Sequence, residues 1–130
     1  MHTISFRVRT YECDAYGHVN NAVYLNYLEF ARDQYLEHHG LDYQSLVASG
    51  NGIFVSEARL SYLSPALPGE DLTMVTVPHE WGAAWLALKQ NLTAPGRPVL
   101  EAFLKLVWVG PSGRPTRIPA EWREKLLTKA

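Results

Sequence analysis

Asp14 and His18 sit in one short run, Asp14-Ala15-Tyr16-Gly17-His18-Val19-Asn20-Asn21-Ala22-Val23-Tyr24, directly before a long amphipathic stretch. The first-turn N–H groups of a helix have no intrahelical acceptor, and the helix dipole is positive at that end. Such a terminus can stabilise an oxyanion that forms during acyl transfer. A carboxylate beside it can attack a carbonyl carbon or take a proton from water. Together these parts suit attack on an activated carbonyl. The same residue types also serve simple turn formation and capping, so the run suggests this chemistry without fixing it.

The loop is placed by a strand before it and a helix after it. Ile4–Glu12 alternates, with Ile4, Phe6, Val8 and Thr10 on one face, which reads as a half-buried strand. Gly17 supplies a turn. A helix is expected from Asn20 to about His39, about 28 Å long, capped by Asn20 or Asn21 and stopped by Gly40. Its polar stripe is Asn26, Glu29, Asp33 and Glu37. The opposing stripe, Tyr24, Leu28, Ala31 and Tyr35, is widened by Val23, Tyr27 and Phe30, so more than half of the circumference is expected to be buried. Leu41–Ser49 reads as a short second helix. Strands are expected over Ile53–Leu63, Asp71–Val77, Ala83–Leu92 and Val99–Val109, and a surface helix over Pro119–Leu127. The order is strand, long helix, four strands. This is an α+β pattern with an antiparallel sheet packed on one helix. The last strand looks apolar on both faces, and the face away from the helix then calls for cover by another subunit.

The loop motif carries a resemblance. Asp-x-x-Gly-His-Val-Asn-Asn-x-x-Tyr, followed by Leu28-Glu29-Phe30-Ala31-Arg32 and, downstream, by Tyr62-Leu63-Ser64-Pro65-Ala66 and Pro68-Gly69-Glu70-Asp71-Leu72, resembles the hotdog-fold acyl-CoA thioesterases. The branch is the 4-hydroxybenzoyl-CoA thioesterase-like family, and the likeness is closest to its long-chain acyl-CoA thioesterase III group. The resemblance spans residues 4 to 127. It implies a sheet of about five strands wrapped around one long helix. It also implies a homo-oligomer, a dimer or a dimer of dimers joined edge to edge, with sites at the dimer interface.

By the same resemblance, Asp14 is the essential carboxylate, as nucleophile or as general base. His18 orients the loop or assists water. Asn20 and Asn21 belong to the substrate-binding helix terminus, where Asn21 offers its main-chain N–H to the thioester carbonyl oxygen. Tyr24 lines the pocket. The substrate class implied is a medium- or long-chain acyl-CoA, with aryl-CoA and acyl carrier protein thioesters left open. Two rivals share the fold. Hotdog enoyl-CoA hydratases place four residues between their Asp and His, where this chain has three. A non-catalytic acyl-CoA-binding module has no need of Asp14.

Composition narrows the remaining classes. The 130 residues suit a single domain over 1–130, and 47% hydrophobic with 19% charged residues supports a packed core. A net charge of -1 excludes a strongly basic nucleic-acid binder. Leu100–Val109, the most apolar run, is too short to span a membrane and is broken by Glu101 and Lys105. With no signal-peptide pattern, a cytoplasmic location is expected. Cys13 is the one cysteine, so no intrachain disulfide can form, and it reads as an inert thiol. No pair of histidines has a helical metal-ligand spacing with a carboxylate, so neither metal nor other cofactor is expected.

Other residues read as structural. His38 and His39 suit a helix C-terminus, His79 a turn and His2 a mobile end. Glu29 and Arg32 can pair on the helix surface. Glu57 reads as a structural partner within its strand. Trp81, Trp85, Trp108 and Trp122 read as core or interface. Arg59, Lys89 and Arg97 are candidate contacts for substrate phosphates, against the plainer reading of solvated charges.

Overall fold

The computed structural model describes residues 1–126. The elements are β1 (His2–Arg7), a single 3-10 turn at Thr10–Glu12, α1 (Val23–His38), α2 (Tyr43–Ala48), β2 (Gly52–Tyr62), β3 (Asp71–Trp81), β4 (Trp85–Ala94), β5 (Arg97–Val109) and α3 (Ala120–Leu126). The strands form one five-stranded antiparallel sheet in the order β1-β3-β4-β5-β2. This is the expected α+β hotdog architecture, a sheet wrapped around one long helix.

The stripe of α1 at spacings of three and four determines the packing. Leu28, Ala31 and Tyr35 are fully buried, and Tyr24, Tyr27 and Leu36 nearly so. The first half of α1 packs with Leu72, Met74, Leu92, Leu100, Ala102 and Leu104. The second half packs with Leu86, Leu88, Leu106 and Trp108. Gln90 is the one amide buried in this layer among the described residues; its Nε2 donates to the Leu28 carbonyl and to Thr76 Oγ1, both at 3.1 Å. These bonds join the helix to the centre of the sheet. Gly40, at φ +84, ends α1, and the Leu41 N–H returns to the Leu36 carbonyl at 2.9 Å.

Several boundaries differ from expectation, each for a local reason. The first strand ends at Arg7, because the Glu12 carboxylate accepts the Arg9 N–H at 2.7 Å and winds Thr10–Glu12 into a turn. Thr10 is therefore exposed and leaves the strand face. The long helix begins at Val23. Asn20 Oδ1 accepts the Ala22 N–H at 2.9 Å and holds residues 20–22 as a separate turn, which shortens the helix to about 24 Å. His79 lies in β3 at a register shift between Pro78 and Glu80, not in a turn. His2 pairs with Thr76 as part of β1. The last helix is more than a surface element: Leu126 is buried, and its carbonyl accepts the Tyr35 hydroxyl. Leu127 lies outside the described residues.

The largest difference concerns β5. Its buried residues alternate as Leu100, Ala102, Leu104, Leu106 and Trp108, while Glu101, Phe103, Lys105 and Val107 turn to the other face. That face is polar and cationic. Arg59 lies over the Phe103 ring at 4.4 Å, and Lys105 over Trp85 at 4.5 Å. These cations screen two of the aromatic rings on that face, while Phe54, opposite Val107, leaves it exposed apolar surface. The edge strand β2 and the residue just beyond it also expose apolar side chains, at Phe54, Val55, Tyr62 and Leu63. Among the described residues, no helix is long and apolar enough to cross a membrane.

Candidate active site

Residues 12–20 form a narrow-necked loop. The Asn20 N–H donates to the Glu12 carbonyl at 2.9 Å, Cys13 and Val19 form an isolated bridge, and the Asp14 N–H donates to the His18 carbonyl at 2.8 Å. Gly17, at φ +73, closes the tip with its N–H on the Asp14 carbonyl at 3.0 Å. A side chain strains that backbone conformation, which is the reason for glycine at this position.

Asp14 Oδ1 accepts the Tyr16 N–H at 2.9 Å and, more weakly, the His18 N–H at 3.4 Å. Both bonds fall on one oxygen, and Oδ2 has no donor among the described residues. The carboxylate is thus oriented by the main chain of its own turn. His18 acts on Asp14 through its backbone. Its imidazole is exposed and has no hydrogen-bond partner among the described residues.

A cleft of about 350 Å³ opens beside this loop, lined by Asp14, His18, Val19, Asn21, Tyr24 and, from the far side, Tyr62–Pro65. Four of the five site residues read from the sequence line it. Asn20 stands behind, shaping the turn. The Asn21 N–H has no acceptor among the described residues, while its carbonyl accepts the Tyr62 hydroxyl at 3.2 Å. Tyr24 does more than line the cleft. Its hydroxyl accepts the Ala66 N–H at 3.1 Å, and burial raises its pKa above the ordinary value. The Val19 N–H takes the Ala66 carbonyl at 2.9 Å. Ala66 is thus gripped at both polar atoms, one by the loop and one by α1.

The Tyr24–Ala66 bond gives a direct test. Tyr24→Phe leaves a fully buried N–H without an acceptor. The expected loss is about 1–3 kcal/mol of unfolding free energy, read from urea melts. A loss below about 0.5 kcal/mol rules out the anchoring role.

Arg97, a candidate phosphate contact by sequence, is engaged within the fold. Its guanidinium forks onto Glu70 at 2.7 and 2.5 Å and donates to the Pro65 carbonyl at 2.8 Å. Glu70 in turn accepts the Leu67 N–H at 2.8 Å. The set fixes the 65–70 turn that forms the far wall. The Arg97 hydrogen bond holds the Glu70 carboxyl below its ordinary value of 4.5, with burial opposing. A depressed carboxyl stabilises the fold above its unfolded-state pKa and loses that contribution as pH falls through the folded value. The melting temperature is therefore expected to fall more steeply below about pH 4.5 in the wild type than in Arg97→Gln. Parallel profiles contradict this.

Arg59 and Lys89 share a depression of about 470 Å³ on the sheet's outer face with Ser61, Asn91, Glu101 and Phe103. Arg59 is also paired with Glu57 at 3.1 Å. Another depression, of about 480 Å³, lies between α1 and α2 and carries Asp33, Glu37 and Asp42. Both exceed the Asp14 cleft in volume. In the α1–α2 depression the carboxylate at the start of α2, Asp42, is already spent on that helix, accepting the Gln44 N–H at 3.1 Å and the Ser45 hydroxyl at 2.9 Å on its two oxygens. Asp14 keeps one oxygen without a donor among the described residues, beside the unpaired Asn21 N–H, so the chemistry selects the smaller cleft. Cys13 is half-buried, with its pKa raised chiefly by burial, which disfavours a reactive thiolate. Burial, and then the neighbouring His38, lower the pKa of His39. Among the described residues, no group of His, Cys, Asp and Glu is placed to hold a metal ion.

Val19 and Tyr62–Pro65 are the lining residues that motif reasoning left without a role. The sequence signal was the Tyr62–Ala66 run itself. It ends β2 at the register position opposite Leu100, the same end of the sheet as the start of α1.

The thioesterase-like superfamily model matches residues 8–126. A chloroplastic acyl-acyl carrier protein thioesterase of Arabidopsis thaliana is 34% identical over 128 residues, 97% of this chain and 67% of the plant protein. This chain spans about two thirds of the plant relatives it matches. The long-chain acyl-CoA thioesterase FadM of Escherichia coli is 31% identical over 123 residues, 92% of each chain. A thioesterase of Thermus thermophilus, solved with coenzyme A and Zn, superposes with a TM-score of 0.85 at 30% identity, covering 95% of this chain and 90% of that one. With Asp14 and the start of α1 brought into one cleft, these matches place the chain in the thioesterase-like superfamily, as a hotdog-fold thioester hydrolase.

Proposed function

We propose that the protein hydrolyses acyl-CoA thioesters to free acid and CoA, with Asp14 as the reacting carboxylate. The observation that carries this reading is the shared cleft: Asp14, with one oxygen held by main-chain donors, faces the same space as Asn21, whose N–H is unpaired among the described residues. A thioester carbonyl accepting the Asn21 N–H is polarised toward attack, and the helix start stabilises the oxyanion. Asp14 either takes the proton of the attacking water or adds to the carbonyl itself. The C–S bond breaks in both cases and the thiolate leaves; in the second, water then hydrolyses the acyl–Asp14 anhydride to release the acid and restore the carboxylate. His18 and Tyr24 shape the cleft.

The acyl group favoured is a medium- or long-chain one. FadM, at 31% identity over 92% of both chains, is named for long-chain acyl-CoA, and the Thermus relative was solved with coenzyme A. The two Arabidopsis relatives are named for acyl carrier protein substrates, so that carrier belongs in the test. The working unit is a homodimer joined through β2, or a pair of such dimers. Among the described residues β2 pairs only with β5; its free edge carries Phe54 and Val55, 60% and 45% exposed, toward its start, and Tyr62 at its cleft-lining end. An unpaired edge strand of this length is a template for pairing.

The deciding experiment is thiol release from acyl-CoAs of graded length, one aryl-CoA and one acyl carrier protein thioester. Release that grows with chain length supports the reading. Release from none of them, with binding retained, or hydration of a crotonyl-type CoA, overturns it.

A further inference from the structure

Glu12 is a buried carboxylate that the proposed chemistry does not use. It is 8% exposed and makes three bonds. Oε1 accepts the Arg9 N–H at 2.7 Å and the Tyr27 hydroxyl at 2.9 Å, and Oε2 accepts Arg9 Nη1 at 3.0 Å. Its own carbonyl closes the neck of the Asp14 loop by accepting the Asn20 N–H. Glu12 thus joins three things: the turn after β1, the loop that bears Asp14 and the second turn of α1. Tyr27 is fixed in return. It is 4% exposed, packs on the Phe6 ring at 4.7 Å, and has its pKa driven up by burial and then by the Glu12 bond.

The placement has a counterpart. Tyr24, three residues earlier on α1, anchors the opposite wall of the cleft at Ala66, and the two rings meet edge to face at 5.9 Å. Consecutive buried tyrosines on one helix thus hold the two walls, one through Glu12 and one through Ala66. The donor for the carbonyl oxygen, Asn21 N–H, belongs to the lead-in of the same helix. The separation between Asp14 and that donor is therefore set by how firmly the loop neck is tied to α1.

We propose that Glu12, acting through Tyr27, is a positioning residue for Asp14; this rests on the reading of Asp14 as the reacting carboxylate. The main chain of the loop orients Asp14 within its turn, and the Glu12–Tyr27 bond places that turn against the helix start. A carboxylate displaced by about 1 Å reacts far more slowly while substrate still binds. The signature is a loss in kcat with KM preserved.

The test compares Glu12→Gln and Tyr27→Phe, alone and combined with Asp14→Asn, using the acyl-CoA that the wild type hydrolyses fastest. Far-UV spectra and thermal melts establish that each variant is folded at the assay temperature. Tyr27→Phe removes one hydroxyl and keeps the ring, so it serves if Glu12→Gln fails to fold. Each single variant is expected to lose about tenfold in kcat with KM within about twofold. Neither is expected to cause further loss in the Asp14→Asn background, because positioning acts only through the group positioned. Unchanged kcat, or a loss that multiplies with that of Asp14→Asn, overturns the proposal. Near wild-type turnover in Asp14→Asn alone is a different result: it removes the reading of Asp14 itself, and the proposal with it.

Discussion

Asp14→Asn is expected to fold as the wild type does and to lose at least about a hundredfold in turnover, the scale of one general-base contribution. The substitution is close to isosteric. An amide oxygen can still accept the Tyr16 N–H that now meets Oδ1 at 2.9 Å, so the turn keeps its geometry. Residue 14 is exposed, so no buried charge is lost and the melting temperature should barely move. Only the charge and basicity of the second oxygen disappear. Steady-state thiol release, wild type beside variant, measures the effect, and a loss under about tenfold is incompatible with Asp14 as base or nucleophile. A single turnover in ¹⁸O-labelled water tests the two roles. Label found in the Asp14 carboxylate indicates an anhydride opened at the Asp14 carbonyl; label only in the released acid requires trapping of the acyl-enzyme, for instance with hydroxylamine, to tell an anhydride opened at the acyl carbon from direct attack by water.

How the sequence exposed this site, and where it did not, follows from the range of the interactions involved. The loop and helix were legible because their determinants are local. Gly17 must adopt a positive φ, Asp14 takes N–H groups two and four residues on, and the α1 stripe is periodic. The far wall was not legible. Tyr62 reaches the Asn21 carbonyl across 41 positions, and Arg97 reaches Glu70 across 27. No local pattern distinguishes such an arginine from a phosphate ligand. The early end of β1 was a local event read wrongly. The alternation through Thr10 was real, but one carboxylate, Glu12, captured the Arg9 N–H and broke it. The apolar appearance of β5 misled for another reason. Phe103 and Val107 do face outward, but the cation over the Phe103 ring, Arg59, comes from β2, and Lys105 of β5 lies over Trp85 of β4.

The second large effect is on stability. Leu28→Ala is expected to lower the unfolding free energy by about 3 kcal/mol, within the range for truncating an enclosed leucine. Leu28 is fully buried in the cluster of Leu72, Met74, Leu92, Leu100 and Leu104, with sheet residues packed around it. A helix on the surface of a bundle can shift to fill such a gap. This helix is constrained along its length: Gln90 bonds the Leu28 carbonyl, Tyr24 bonds Ala66, Tyr27 bonds Glu12 and Tyr35 bonds the Leu126 carbonyl. The cavity should therefore stay open, and the full cavity contribution should add to the lost burial. Urea melts should show a lower midpoint with an unchanged slope, since the surface exposed on unfolding hardly changes. Turnover per folded molecule should hold, because the bonds that place Asp14 and Asn21 come from the main chain and from Tyr24 and Tyr27. A loss below about 1 kcal/mol means that the sheet can close around α1. In that case the separation between the Asp14 loop and the helix start is adjustable and not fixed by the core.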